Sequence, residues 1–210
     1  MNISVILSGG NGIRFGSELP KQYHLLFGKE VIAYVYDALK ASELTDEILI
    51  VSSRNMHYEA GYVPGGNTHN ESVGNALKYI YKHYDNCESV LFVDSARPFV
   101  TADVIDELYK RIKDADAITT AQKITDSLGR DGIKFVDRSD YYLIQKPAVF
   151  NFNILYKHFS ATSETTAIIQ QIPLSCRVKQ YYGLKQNMKI TYPEDLQFAE
   201  RLMGMQGELL

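Results

Sequence analysis

The chain has 210 residues, enough for one domain with at most a small excursion, and 45% of them are apolar, so a full core can be buried. A charged fraction of 22% and a net charge of −3 exclude a broad basic stripe for nucleic acid, while leaving room for a local pocket that takes a small anion. Cys87 and Cys176 have no Cys or His at metal-ligand spacing, Met1–Leu7 is too short for a signal-peptide core, and no apolar run reaches about 18 residues. Reduced thiols, a cytoplasmic setting and no membrane partner are therefore expected.

Apolar runs of strand length alternate with stretches of helical period. Ile3–Leu7 reads as a strand buried on both faces, because its apolar residues are nearly continuous. Val31–Leu39 carries a helical stripe, Ile48–Val51 is a second short strand, and Ser72–Tyr84 is a helix. Val90–Val93 is a third strand, Asp103–Ile112 is helical, and Ala117–Thr120 is a fourth strand. This alternation predicts a Rossmann-like α/β fold, a mostly parallel sheet with helices on both faces. Between about Ala121 and Val149 the pattern breaks, and Arg130-Asp131-Gly132 forms a turn between the β-like arms Lys123–Leu128 and Ile133–Val136. A projecting β-hairpin arm follows, whose exposed apolar residues a second copy of the chain would cover. Lys189 is expected on a strand before a last helix, Pro193–Met203, which Pro193 would open.

In such folds ligands sit beyond the carboxyl ends of the strands. Ser8–Lys21, Pro64–Ser72 and Asp94–Pro98 are thus the loops to inspect. The first holds Gly9, Gly10, Gly12 and Gly16, which let consecutive amides face an anion, with Arg14 and Lys21 as cations beside them. That combination suits a polyphosphate, though by itself it also suits a plain Gly-rich connection. The dinucleotide fingerprint beginning at Gly10 fails at Phe15, which removes a nicotinamide-dependent dehydrogenase, and a Walker loop ending at Gly28-Lys29 fails at Tyr23 and Glu30. Asp94, at the end of a central strand, is placed to hold Mg²⁺ for nucleotide phosphates, or else to cap the next turn.

In this order, the blocks SGGNGIRFG, LPKQY, GGNTHNESVGNAL, DSARPF, VDRSDYYLIQKPAVF and NMKITYPEDL resemble the cytidylyltransferases that join CTP to a phosphorylated polyol. The resemblance spans nearly the whole chain and includes the enzymes that make 4-diphosphocytidyl-2-C-methyl-D-erythritol and CDP-ribitol. It implies a GT-A-like nucleotidyltransferase fold in one domain, 1–210, with 121–149 as a dimerisation arm. It also implies that Ser8, Gly9, Gly10, Arg14 and Lys21 hold the triphosphate, and that Gly66, Asn67 and Ser72 recognise cytosine and its ribose. Asp94 would bind Mg²⁺ and the ribose region. Arg97, Arg138 and Lys189 would face the polyol phosphate, Arg138 reaching across a homodimer, and Thr162 would meet the substrate. Arg14, Lys21 and Lys189 would be the catalytic cations of an in-line attack on the α-phosphorus.

Several positions depart from the family's commonest residues. A usual Q-T-P-Q is Gln145-Lys146-Pro147-Ala148 here, and an expected Arg is His69, which would contact phosphate when protonated or be a surface-loop histidine. Lys146 would meet an additional negative charge on a different substrate. With Gly9-Gly10, His69-Asn70 and FNFNIL, these changes lead to an expected substrate of ribitol 5-phosphate or a similar glycan-precursor alditol phosphate. Methylerythritol phosphate and a catalytically inactive nucleotide-binding regulator are the alternatives.

Overall fold

The computed structural model describes residues 1–10, 15–54 and 57–207. In chain order these form β1 (Asn2–Leu7), a short ribbon of β2 (Leu25–Leu26) and β3 (Lys29–Glu30), α1 (Val31–Ala41), β4 (Glu47–Ser52) and β5 (Gly61–Pro64). There follow α2 (His69–His83), β6 (Ser89–Asp94), α3 (Ala102–Arg111), β7 (Ala117–Lys123), β8 (Tyr142–Asn151), α4 (Phe152–His158), β9 (Val178–Tyr181) and α5 (Pro193–Gly207). Among the described residues seven strands make one sheet, ordered β5-β4-β1-β6-β8-β7-β9, in which β8 runs against the others.

The period-2 alternation of a strand explains how the sheet carries two cores. On one face Ile3, Val5, Val90, Phe92 and Phe150 pack with Val73, Leu77 and Ile80 of α2 and Leu155 of α4. On the other, Ile6, Ile50, Leu91, Val93 and Val149 pack with Ile32, Val35 and Leu39 of α1 and Ile105 and Leu108 of α3. Every residue from Ile3 to Leu7 is buried, as a central strand covered on both faces requires. A third cluster, including Phe15, Leu26, Ala96, Phe99, Ile190 and Ala199, fixes the segment after β6 beneath α5. No helix among the described residues is long and apolar enough to cross a membrane.

Three sequence expectations need correction. Helix α2 begins at His69, three residues before Ser72, because Thr68 caps it: its hydroxyl accepts the Glu71 amide at 3.0 Å. The first turn is polar, so an apolar stripe could not reveal it. The expected arms Lys123–Leu128 and Ile133–Val136 are not strands; the hairpin arms are β7 and β8, and 124–141 joins them irregularly. Only an Arg130–Ile133 bridge, with Gly132 at φ 76°, survives at the Arg-Asp-Gly turn. The stretch is largely exposed and has no neighbouring strand, whereas Ala148–Phe150 gain a place in the core between β6 and β7. Lys189, finally, lies on an irregular segment rather than a strand, held where the Ile190 amide donates to the Ala96 carbonyl at 2.9 Å.

Tyr109 ties α3 to the sheet, its ring fully buried and its hydroxyl 2.8 Å from Ser4 Oγ on β1. Loss of the hydroxyl in Tyr109→Phe should cost about 1 kcal/mol, and loss of the ring in Tyr109→Ala about 3–5 kcal/mol, because packing outweighs one hydrogen bond. Urea denaturation of the two variants would measure the difference; equal costs would contradict it.

Candidate functional site

The carboxyl ends of β1, β5 and β6 open into a cleft of about 590 Å³, lined by Gly9, Gly10, Lys21, Gln22, Gly65, Gly66, Asn67, Ser72, Asp94 and Lys189 among others. Its two glycine loops approach backbone to backbone. A Cβ on Gly65 would stand 3.5 Å from Gly9 Cα, one on Gly9 would stand 3.1 Å from Ser72 Oγ, and one on Gly66 would overlap Glu71 at 2.2 Å. The side chains of α2's first turn hold the second loop: the Gly66 amide donates to Ser72 Oγ at 3.0 Å and the Asn67 amide to Glu71 Oε2 at 2.7 Å. Ser8 is buried behind the glycines; its carbonyl accepts the Gln22 side-chain amide at 3.0 Å, and its Oγ is buried without a partner. Arg14 lies outside the described residues.

Asp94, the last residue of β6, is the acid that lines this cleft among the described residues, and it is buried. Its Oδ2 meets Arg97 Nε at 3.1 Å and Lys189 Nζ at 3.0 Å, while its Oδ1 meets Lys146 Nζ at 3.2 Å. Burial alone would raise the Asp94 pKa; the ammonium groups of Lys146 and Lys189 and the Arg97 guanidinium overcome it and hold the carboxyl well below its ordinary range. The contacts close a ring. Arg97 Nη1 donates to the Asn187 carbonyl at 2.6 Å, and Asn187 Nδ2 donates to the Lys146 carbonyl at 2.7 Å.

Lys146 reaches Asp94 because β8 bulges. The ladder pairs Thr119 with Ala148 and then Ala121 with Ile144, so Gln145, Lys146 and Pro147 oppose Thr120 alone. Proline has no N–H to give a ladder and suits such a site. Thr119 Oγ1 donates to the freed Gln145 carbonyl at 3.0 Å. The bulge borders a second cavity of about 440 Å³, with His69, Asp94, Arg97, Lys146 and Lys189 on its polar side and Ile144, Ala148, Phe150, Ile168 and Ile169 on its apolar side. His69, Asp94 and Lys189 line both cavities and form the partition between them.

His69 is held neutral by its surroundings. Burial, reinforced by Lys146, lowers its pKa from 6.5 to about 4, so at neutral pH its Nε2 accepts a hydrogen bond from Lys146 Nζ at 3.1 Å. Burial also draws the Lys146 pKa below its ordinary value, with Asp94 opposing. Two expected residues stand apart from both cavities. Thr162 is exposed and bonded to Ser160 at 3.0 Å, while Thr166 of the same segment lines the second cavity. Arg138 is exposed on the 124–141 connection, where its guanidinium donates to the Thr125 carbonyl. Asn187, Gln22 and Thr119 support the site without having been singled out. Asn187 and Gln22 lie inside quoted sequence blocks, but their partners are carbonyls, which no residue pattern displays.

The doubly covered, mostly parallel sheet with a cleft at its strand ends has the GT-A-like fold of the nucleotidyltransferases. The family model described as IspD, 2-C-methyl-D-erythritol 4-phosphate cytidylyltransferase, matches residues 2–205. Relatives bearing that name include one from Clostridium botulinum, 31% identical over 96% of this chain and 97% of its own, and one from Azobacteroides pseudotrichonymphae, 33% identical over 95% and 97%. A solved 4-diphosphocytidyl-2C-methyl-D-erythritol synthase from Anaerococcus prevotii shares the fold, with TM-score 0.80, 24% identity and coverage of 97% and 96%. The chain belongs to the 2-C-methyl-D-erythritol 4-phosphate cytidylyltransferase family and is a CTP-using nucleotidyltransferase.

Family members use a divalent metal, and Asp94 was the expected ligand. Such ions take one or two carboxylates together with substrate phosphates. Here both Asp94 oxygens already face cations, and no group of three His, Cys, Asp or Glu among the described residues could hold a metal. The donor set in this arrangement does not fit a metal ion carried by Asp94.

The lowered His69 pKa makes stability depend on pH. Between about 6.5 and 4 the unfolded chain takes up a proton on His69 that the folded chain refuses, so stability falls as pH falls through that window. Unfolding free energy should drop by up to about 3 kcal/mol from this group, and His69→Gln should flatten the slope. Urea denaturation at several pH values would check it, and an unchanged slope in the variant would refute it.

Proposed function

We propose that the chain joins CTP to 2-C-methyl-D-erythritol 4-phosphate and releases pyrophosphate. The observation that carries this reading is the pair of adjoining cavities with a common wall of Asp94, His69 and Lys189. One is glycine-lined, as a triphosphate requires. In the other, Arg97, Lys146 and Lys189 outnumber Asp94 and leave two positive charges, which match a phosphate dianion, beside an apolar surface for a short carbon skeleton.

An oxygen of the acceptor phosphate attacks the α-phosphorus of CTP, a P–O bond forms, and the bond to pyrophosphate breaks in line. The acceptor is already an anion, so no covalent enzyme nucleophile is required. Positioning and charge neutralisation carry the rate. Lys21 stabilises the reacting phosphates from the nucleotide side and Lys189 from the partition, and the family resemblance adds Arg14 to these cations. Gly9 and Gly10, with Ser8 beneath, cradle the triphosphate; Gly66, Asn67 and Ser72 hold cytosine and ribose. A divalent ion, where one takes part, would be carried by the nucleotide's phosphates rather than by Asp94 and would supply further charge neutralisation there. Arg97 and Lys146 bind the acceptor phosphate. The exposed Ile133, Phe135 and Tyr141 support pairing of two copies through the arm, which would bring a second copy's Arg138 to the acceptor. The free thiols Cys87 and Cys176 support a cytoplasmic setting.

Ribitol 5-phosphate, or a related alditol phosphate, is the second reading. It rests on Lys146 and Ala148, which depart from the usual family residues and line the acceptor cavity. Pyrophosphate release should be measured with CTP, UTP, ATP and GTP against methylerythritol, ribitol and other alditol phosphates. The proposal expects CTP with methylerythritol phosphate to be fastest. Preference for ribitol phosphate establishes the second reading, and turnover with UTP alone refutes both. Lys21→Ala should fold normally and lose roughly 10²–10³ of turnover, as expected for one cation at the transition state; wild-type turnover would remove Lys21 from the mechanism.

A further inference from the structure

The three cations at Asp94 are held differently. Lys189 has a side chain 38% exposed on an irregular segment, so it can turn toward an incoming phosphate. Lys146 has a side chain 14% exposed and is built into the sheet. Its carbonyl is clamped by Asn187 Nδ2 at 2.7 Å, the preceding carbonyl by Thr119 Oγ1 at 3.0 Å, and its ammonium lies between His69 Nε2 at 3.1 Å and Asp94 Oδ1 at 3.2 Å. The Oδ2 atom is taken by Arg97 and Lys189, so Oδ1 is the lone-pair set that a metal would use.

A small hard divalent ion such as Mg²⁺ binds carboxylate oxygen at about 2.0–2.1 Å. At Oδ1 it would crowd the Lys146 ammonium, 3.2 Å from that oxygen, with like charge. We propose that Lys146 is a fold-borne substitute for a metal ion at Asp94 Oδ1. Its fixed positive charge closes this carboxylate to divalent cations in the free protein. A divalent ion would then have to arrive with the nucleotide rather than on Asp94. This inference deepens the proposed function by resting on Asp94 as a wall of the nucleotide cleft. It is independent of which acceptor is used.

The test uses Mn²⁺ alone, titrated into the purified full chain without nucleotide and followed by the electron paramagnetic resonance of free Mn²⁺. Wild type should show no site below about 1 mM that Asp94→Asn removes. Lys146→Thr and Lys146→Met should each gain a Mn²⁺ site at least about tenfold tighter, because a like charge within a few ångströms has gone. Adding Asp94→Asn should abolish the gain, and Lys146→Arg, which keeps the charge, should keep the site closed. A wild-type Mn²⁺ site that depends on Asp94 would overturn the proposal. So would neutral variants that fold, by circular dichroism, yet bind Mn²⁺ no better than wild type. Failure of cytidylyl transfer in the separate pyrophosphate assay would instead strike the proposed function and leave these titrations unchanged.

Discussion

A carboxylate removed from water must be paired and hydrogen-bonded, since burying an isolated ion costs several kcal/mol even after relaxation. Asp94 meets that requirement with Arg97, Lys146 and Lys189, drawn from the turn after β6, the bulge of β8 and the segment before α5. Stretches distant in sequence are thereby fixed around one oxygen pair. Asn187 completes the arrangement by bonding both the Arg97 side chain and the Lys146 main chain. The partition between the two cavities exists because this single buried charge gathers cations from three directions.

The same pairing orders the electrostatics. With its imidazole held neutral, His69 serves as an acceptor for Lys146 instead of a fourth positive group. The glycine-lined cleft offers main-chain atoms and Lys21, whereas the neighbouring cavity concentrates side-chain cations opposite aliphatic residues. Two phosphorylated reactants can thus be received by different means on either side of one wall.

Much of this was legible in the residues. Strand β1 and helices α1 and α3 appeared as continuous or helically spaced apolar runs, because packing against both sheet faces imposes those periods. The glycine loops and Asp94 were legible because their positions follow strand ends. Strand β8 was hidden: Tyr142–Asn151 includes a lysine and a proline in mid-strand, and only the ladder's two-sided pairing with β6 and β7 explains their presence. The link from Lys146 to Asp94 spans 52 residues and depends on that bulge, so no local pattern could announce it. Thr162 was favoured over Thr166 because a composition match cannot tell which threonine of TSETT turns toward a cavity. The arm was foreseen as a departure from alternation, while its strands were misplaced because polar, exposed residues give no period to read.

The bulge on β8 also shapes how this enzyme can change over time. Lys146 has no place in the paired register between Thr119–Ala148 and Ala121–Ile144. A new side chain at that position therefore alters the cavity without breaking sheet pairing, and the core formed by Val149 and Phe150 a few residues away need not respond. The position is thus released from the demands of sheet pairing, and the constraint left on it is the charge it shares with Asp94.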